Sequence, residues 1–214
     1  MTPATLAGWC RVPVAALLAL LAWGALADSE SRAAPSDRGA ALPVATVLGT
    51  AIDANDSAEL RDAILNPLLE QYAAERGLRA EPAEINAMFE MMRRDMAASG
   101  LTAADDLTPE EQDEVAAMRL EMVSALIRQW KINKALHEQY GGRILYQQLG
   151  PEPLDAYREF LRQRAADGAF AIRDQALEAA FWRDFTDDSI HDFMTPGSAD
   201  EARAFKTPPW EQQP

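Results

Sequence analysis

The sequence predicts a mostly α fold, a helical bundle with one long helix and one or two short strand segments. Three observations carry that expectation. Apolar residues recur every three or four positions over long stretches, the spacing that builds one buried face of a helix. Those stretches are opened by capping residues or proline and closed by glycine. β-prone residues are confined to runs too short for anything but small strands.

The elements follow in chain order. Arg11 is the only charge before an apolar run over residues 12–27 that ends in Ala25-Leu26-Ala27, a small-residue cleavage pattern. Residues 1–27 read as a secretory signal peptide, which places the mature chain in the periplasm. The run is shorter than the ~20 residues a spanning helix needs. Retention as an N-terminal anchor is the alternative. Cys10 precedes the apolar run instead of following it, which argues against a lipid-attachment cysteine. Residues 28–42 are small and polar without periodicity and read as a flexible leader.

Residues 44–48 form a β-prone run closed by Gly49, with Ile52 just beyond, and predict a short strand and turn. Asp56 with Glu59 three residues later is a helix N-cap signature, and Leu60, Ile64, Leu68 and Tyr72 then define a first helix over 57–76, stopped at Gly77. Pro67 inside it removes one backbone donor and predicts a bend near 64–67. Pro82 opens a second helix whose stripe is Ile85, Met88, Phe89, Met92 and Met96, ending before Ser99-Gly100. Thr108-Pro109-Glu110-Glu111 combines cap, proline and capping-box glutamate, and launches a third helix toward Tyr140. That helix is nearly ~50 Å long at ~1.5 Å per residue, so it overhangs a small core unless other segments wrap it.

Residues 143–148 and 169–172 suggest short strands. Leu154, Tyr157, Phe160 and Leu161 mark a fourth helix, and Leu177, Phe181 and Phe185 a fifth over about residues 174–185. Residues 195–214, with Pro196-Gly197 and Thr207-Pro208-Pro209-Trp210, read as a loose C-terminal tail.

Charge and composition exclude some functions. The formal net charge is −14, with no basic stripe, so the chain repels phosphate backbones and nucleic-acid binding is excluded. The single cysteine lies in the signal, leaving no disulfide, thiol nucleophile or thiolate metal site afterwards. His137 and His191 belong to no metal-binding pattern, and no serine elbow or phosphate loop is present. No cofactor is implied. His137 with Glu138 and Tyr140 is the one group suited to proton transfer, although helix-end histidines usually serve packing. Capping and solvation account for the acidic pairs Asp105-Asp106, Glu110-Glu111 and Asp187-Asp188 better than calcium does.

Methionine gives a stronger signal. Six of the eight fall on the second and third helices: Met88, Met91, Met92, Met96, Met118 and Met122. A flexible, polarizable side chain suits both irregular core packing between two helices and a surface that adapts to varied apolar partners. With Phe89 these residues are the candidate client-binding set.

The run Val44-Ala45-Thr46-Val47, the helix start Glu59-Leu60, the stretch Leu68-Leu69-Glu70-Gln71-Tyr72-Ala73 and Pro82-Ala83-Glu84-Ile85 together resemble the N-terminal helical domain of SurA-type periplasmic chaperones, related to the chaperone module of trigger factor. The resemblance covers residues 44–140, about half the chain. It implies a helical domain over 43–194 that binds unfolded or extended segments of exported proteins. Family members with prolyl isomerase activity carry a parvulin domain after these helices. Residues 141–173 are too few for one and read as a short connector, with the fifth helix returning to complete the bundle. A reduced isomerase or hydrolase centred on His137 and Tyr140, and an assembly factor that pairs as a homodimer through the long helix, are the alternatives.

Overall fold

The computed structural model describes residues 43–100, 108–147 and 150–211. The signal peptide and leader of the sequence reading lie outside the described residues. The chain forms strands β1 (Ala45–Val47) and β2 (Thr50–Ile52), then helices α1 (Ser57–Arg76), α2 (Pro82–Ala98) and α3 (Pro109–Tyr140). It continues with α4 (Leu154–Ala166), β3 (Phe170–Ile172), α5 (Gln175–Thr186), a 3-10 turn at Asp188–Ile190, the short α6 (Ala199–Arg203) and a last 3-10 turn at Pro209–Glu211. The fold is mostly helical with a small antiparallel sheet, as the periodicity requires.

The caps act where the sequence put them. Asp56 Oδ1 accepts from the Ala58 and Glu59 amides, each at 2.9 Å. Glu59 reaches back one residue further than a capping box, accepting from the Asn55 amide at 2.8 Å. Thr108 and Glu111 form a reciprocal capping box, and α3 runs without interruption for 32 residues. Helix α1 continues through Pro67 and ends at Gly77, whose φ of 64° lets the Leu78 amide turn back to Ala73 O at 2.9 Å.

The sheet has order β2-β1-β3, in which β1 and β3 fall where the sequence suggested strands and β2 is additional. Val47 pairs with Thr50 across a two-residue turn, Leu48-Gly49, in which both residues take positive φ. That geometry matches the twist of a tight hairpin and is strained at Leu48. A three-residue edge strand, Thr50-Ala51-Ile52, is too short to show alternation, which is why β2 did not stand out beside β1. Of residues 143–148, expected as a strand, those described (143–147) contribute isolated bridges from Leu145 to Glu152 and Phe193.

The main core lies between α1, the second half of α3, α4, α5 and the sheet. Leu60, Ile64, Leu68 and Tyr72 of α1 are all buried there, with Ile132 and Leu136 of α3, Tyr157, Phe160 and Leu161 of α4, and Phe181 and Phe185 of α5. Tyr72 meets Phe160 edge to face at 5.3 Å.

A polar knot pins α3 to α4. The Tyr157 hydroxyl donates to Asn133 Oδ1 at 2.6 Å, and Gln129 Nε2 donates to both the Tyr157 oxygen (2.7 Å) and Asn133 Oδ1 (2.9 Å). Asn133 Nδ2 donates to Pro151 O at 2.9 Å. Each buried polar atom of the knot has a partner, so burial carries little penalty. The connector is clamped separately: Arg143 donates through its amide and guanidinium to Asp155 and through the same guanidinium to Asp188, while lying 4.1 Å over the Phe193 ring.

Candidate functional site

The second cluster is separate from this core and forms along α2 and the middle of α3. Met88, Met92, Val123, Ile127 and Trp130 are buried in it, with Ile85, Phe89, Met91, Met122 and Leu126 packed against them. Pro82 and the Glu81–Glu84 capping box start α2 alongside α3. Lys131 then ties the two helices, donating to Arg79 O at 2.8 Å and to Glu84 Oε2 at 2.6 Å. Toward the other end of the pair the helices are more exposed. Met96 is half-buried and outside the cluster, Met118 is 49% exposed, and Leu120, on a different side of α3, is 48% exposed.

The candidate client-binding residues therefore divide. Met88 and Met92 are core residues of the second cluster, Phe89, Met91 and Met122 line its flank, and Met118 alone of the seven is fully on the surface.

The cluster is closed by the segment expected to be a loose tail. After Gly197, Ser198 caps α6 by accepting from the Glu201 amide at 3.2 Å, and the chain turns back so that Phe205 and Trp210 reach α3. Trp210 is only 4% exposed and meets Trp130 edge to face at 5.4 Å. Phe205 lies 6.2 Å from the Trp130 ring and 5.2 Å from the His137 ring. Burial of two aromatic side chains supplies the driving force for this return, which a composition of proline, glycine and polar residues concealed. Phe205 and Trp210, five apart in a polar stretch, were the signal that sequence reasoning passed over.

Beside the paired tryptophans is a cleft of about 500 Å³, into which Lys131, Lys134, Lys206, Glu84 and Glu138 contribute. Its charges are mixed. Glu84 holds Lys131, and Glu138 lies 3.7 Å from Lys134, so no single-sign field results.

The other candidates are absorbed by structure. Tyr140 donates its hydroxyl to Gln163 Oε1 at 3.0 Å, and burial raises its pKa, so the phenol is a poor proton carrier. His137 stacks on Phe205, and its Nδ1 has no hydrogen-bond partner among the described residues. Glu111 caps α3, Asp187 caps the 3-10 turn and Asp188 pairs with Arg143, while Asp105 and Asp106 lie outside the described residues. Among the described residues no group of acidic or histidine side chains could hold a metal ion, and no helix is long and apolar enough to cross a membrane.

No family model matches this chain, and neither a curated protein nor a solved structure is detectably similar to it. The resemblance to SurA-type chaperones accordingly rests on the short sequence motifs.

Proposed function

We propose that this chain is an exported SurA-like chaperone or protein-binding module that holds extended apolar segments of unfolded envelope proteins, without a prolyl isomerase domain. The observation that carries the reading is the second apolar cluster, built on α2 and α3 and separate from the main core. A domain needs one core to fold. A second one rich in methionine, whose flanking Phe89, Met91 and Met122 are only partly buried, offers an adaptable apolar face beyond what folding demands. The N-terminal apolar run supports export to the periplasm, where such clients occur. The acidic surface keeps a chain with exposed apolar residues soluble.

The test is direct. The mature protein, added in excess to a denatured outer-membrane protein diluted from urea, is expected to reduce light scattering in proportion to its concentration. Scattering unchanged at every ratio, together with no binding in titration, would refute the reading.

A further inference from the structure

We propose that residues 199–211 are a displaceable cover on the apolar cluster between α2 and α3, a built-in competitor that must leave before an extended apolar chain can enter. The inference rests on the binding function proposed above and adds its regulation. Two independent observations carry it.

The first is the quality of the seam. Four buried side-chain polar atoms lack a hydrogen-bond partner among the described residues, and three of them belong to residues that meet at this one place: Nε1 of Trp130, Nε1 of Trp210 and Nδ1 of His137. An unpaired buried donor or acceptor is expensive, unlike a paired one. The main core contrasts with this, since the Tyr157, Asn133 and Gln129 knot is mutually satisfied. Opening the seam returns three polar atoms to water, so separation recovers part of what the loss of aromatic burial costs.

The second is the attachment. The chain is anchored as far as Met194, which is buried and whose amide donates to Ile144 O at 2.8 Å. Beyond it Thr195, Pro196 and Gly197 are exposed, and Gly197 has a φ of 75°. The segment past this point carries a five-residue helix, and the Tyr146 hydroxyl donates to its Asp200 at 3.2 Å in an exposed bond. Phe205 and Trp210 pack the apolar surface of the segment onto Trp130, and a pivot near Gly197 frees both at the loss of the Tyr146–Asp200 bond, leaving the packing of α5 on α1 in place.

The probe is fluorescein-labelled casein, an unfolded chain, titrated by anisotropy against the full-length mature protein and its Trp210→Ala and Phe205→Ala variants. Both variants are expected to bind it more tightly, Trp210→Ala by about tenfold, because apparent affinity scales with the fraction of molecules in the competent state. In the wild-type protein, casein is expected to speed amide exchange across residues 199–211 and leave α1 unchanged. This second measurement decides the matter should a variant melt early. Casein binding to the wild type with no gain in either variant and no change in exchange overturns the inference and leaves the binding function standing. Absence of binding by wild type and variants alike removes both.

Discussion

Gly142→Ala measures how firmly the connector is built into the body. An alanine Cβ at this position would lie 2.4 Å from the Asp155 Cβ, where real contacts are essentially never below 3.0 Å. Asp155 has little freedom to yield. It sits in the first turn of α4 and accepts from the Arg143 amide and Nε, both at 2.9 Å, and from Nη2 at 3.0 Å. Relief of the clash therefore moves backbone or breaks the clamp, and overpacking of this kind costs about 1–3 kcal/mol. Gly142 also has a φ of 91°, and forcing a side chain into such backbone adds about 1–3 kcal/mol. A loss near ~3 kcal/mol corresponds to a fall in Tm of about 6–12 °C at this chain length. The control is Gly77→Ala, at a φ of 64° with nothing within 4 Å of the new Cβ, which isolates the backbone contribution. Thermal melts followed at 222 nm compare the two. A Gly142→Ala midpoint no lower than that of Gly77→Ala would refute the packing argument for residues 141–153.

Three further outcomes follow from the polar groups of the body. Tyr157→Phe removes two hydrogen bonds of the knot, leaving Gln129 and Asn133 bonded to each other, and the urea midpoint is expected to fall by an amount equivalent to about 1–3 kcal/mol with an unchanged slope. Burial raises the Glu152 pKa despite the opposing fields of His191 and Arg61, so its contribution is most favourable at acid pH and is lost as pH rises through the raised value. Glu152→Gln should therefore raise Tm at neutral pH and abolish that part of the pH dependence; a lowered neutral Tm would contradict it. Arg143 depresses the pKa values of Asp155 and Asp188, so the stability they share is present above the ordinary aspartate range and lost as pH falls through the depressed values. In Arg143→Met the acid-side decline should flatten, and an unchanged pH profile would show that the clamp contributes nothing.

The body of the fold was legible because its signals are local. The residues Leu60, Ile64, Leu68 and Tyr72, four apart, define a face wherever they occur, and Thr108-Pro109-Glu110-Glu111 caps a helix without help from the rest of the chain. The sheet was only partly legible, because Thr50-Ala51-Ile52 becomes a strand by pairing with β1 and not by any alternation of its own. The methionine site shows the same boundary. Helical spacing placed Met88 and Met92 on one face of α2, yet periodicity carries no information about what covers a face. The cover is Trp210, more than a hundred positions later and surrounded by residues that discourage structure. Long-range closure by two aromatic side chains has no local signature beyond their presence.

The length of α3 connects these findings. A helix of 32 residues spans about 48 Å, more than the main core can cover. Ile132 and Leu136 meet that core from its second half, whereas Val123, Ile127 and Trp130 face a different set of residues altogether. The helix thus commits the chain to a second apolar surface, and α2 covers it only in part, since Met122 on its flank is only partly buried. At Trp130 the cover is Trp210, and the two indole N–H groups that meet there have no hydrogen-bond partner among the described residues. A sequence selected only for stability would shorten α3 or pair those donors, because each unmade hydrogen bond costs about 1–3 kcal/mol. Under the proposed binding function, the surplus length of α3 supplies the apolar surface, and the unpaired indoles give it a cover that can be displaced.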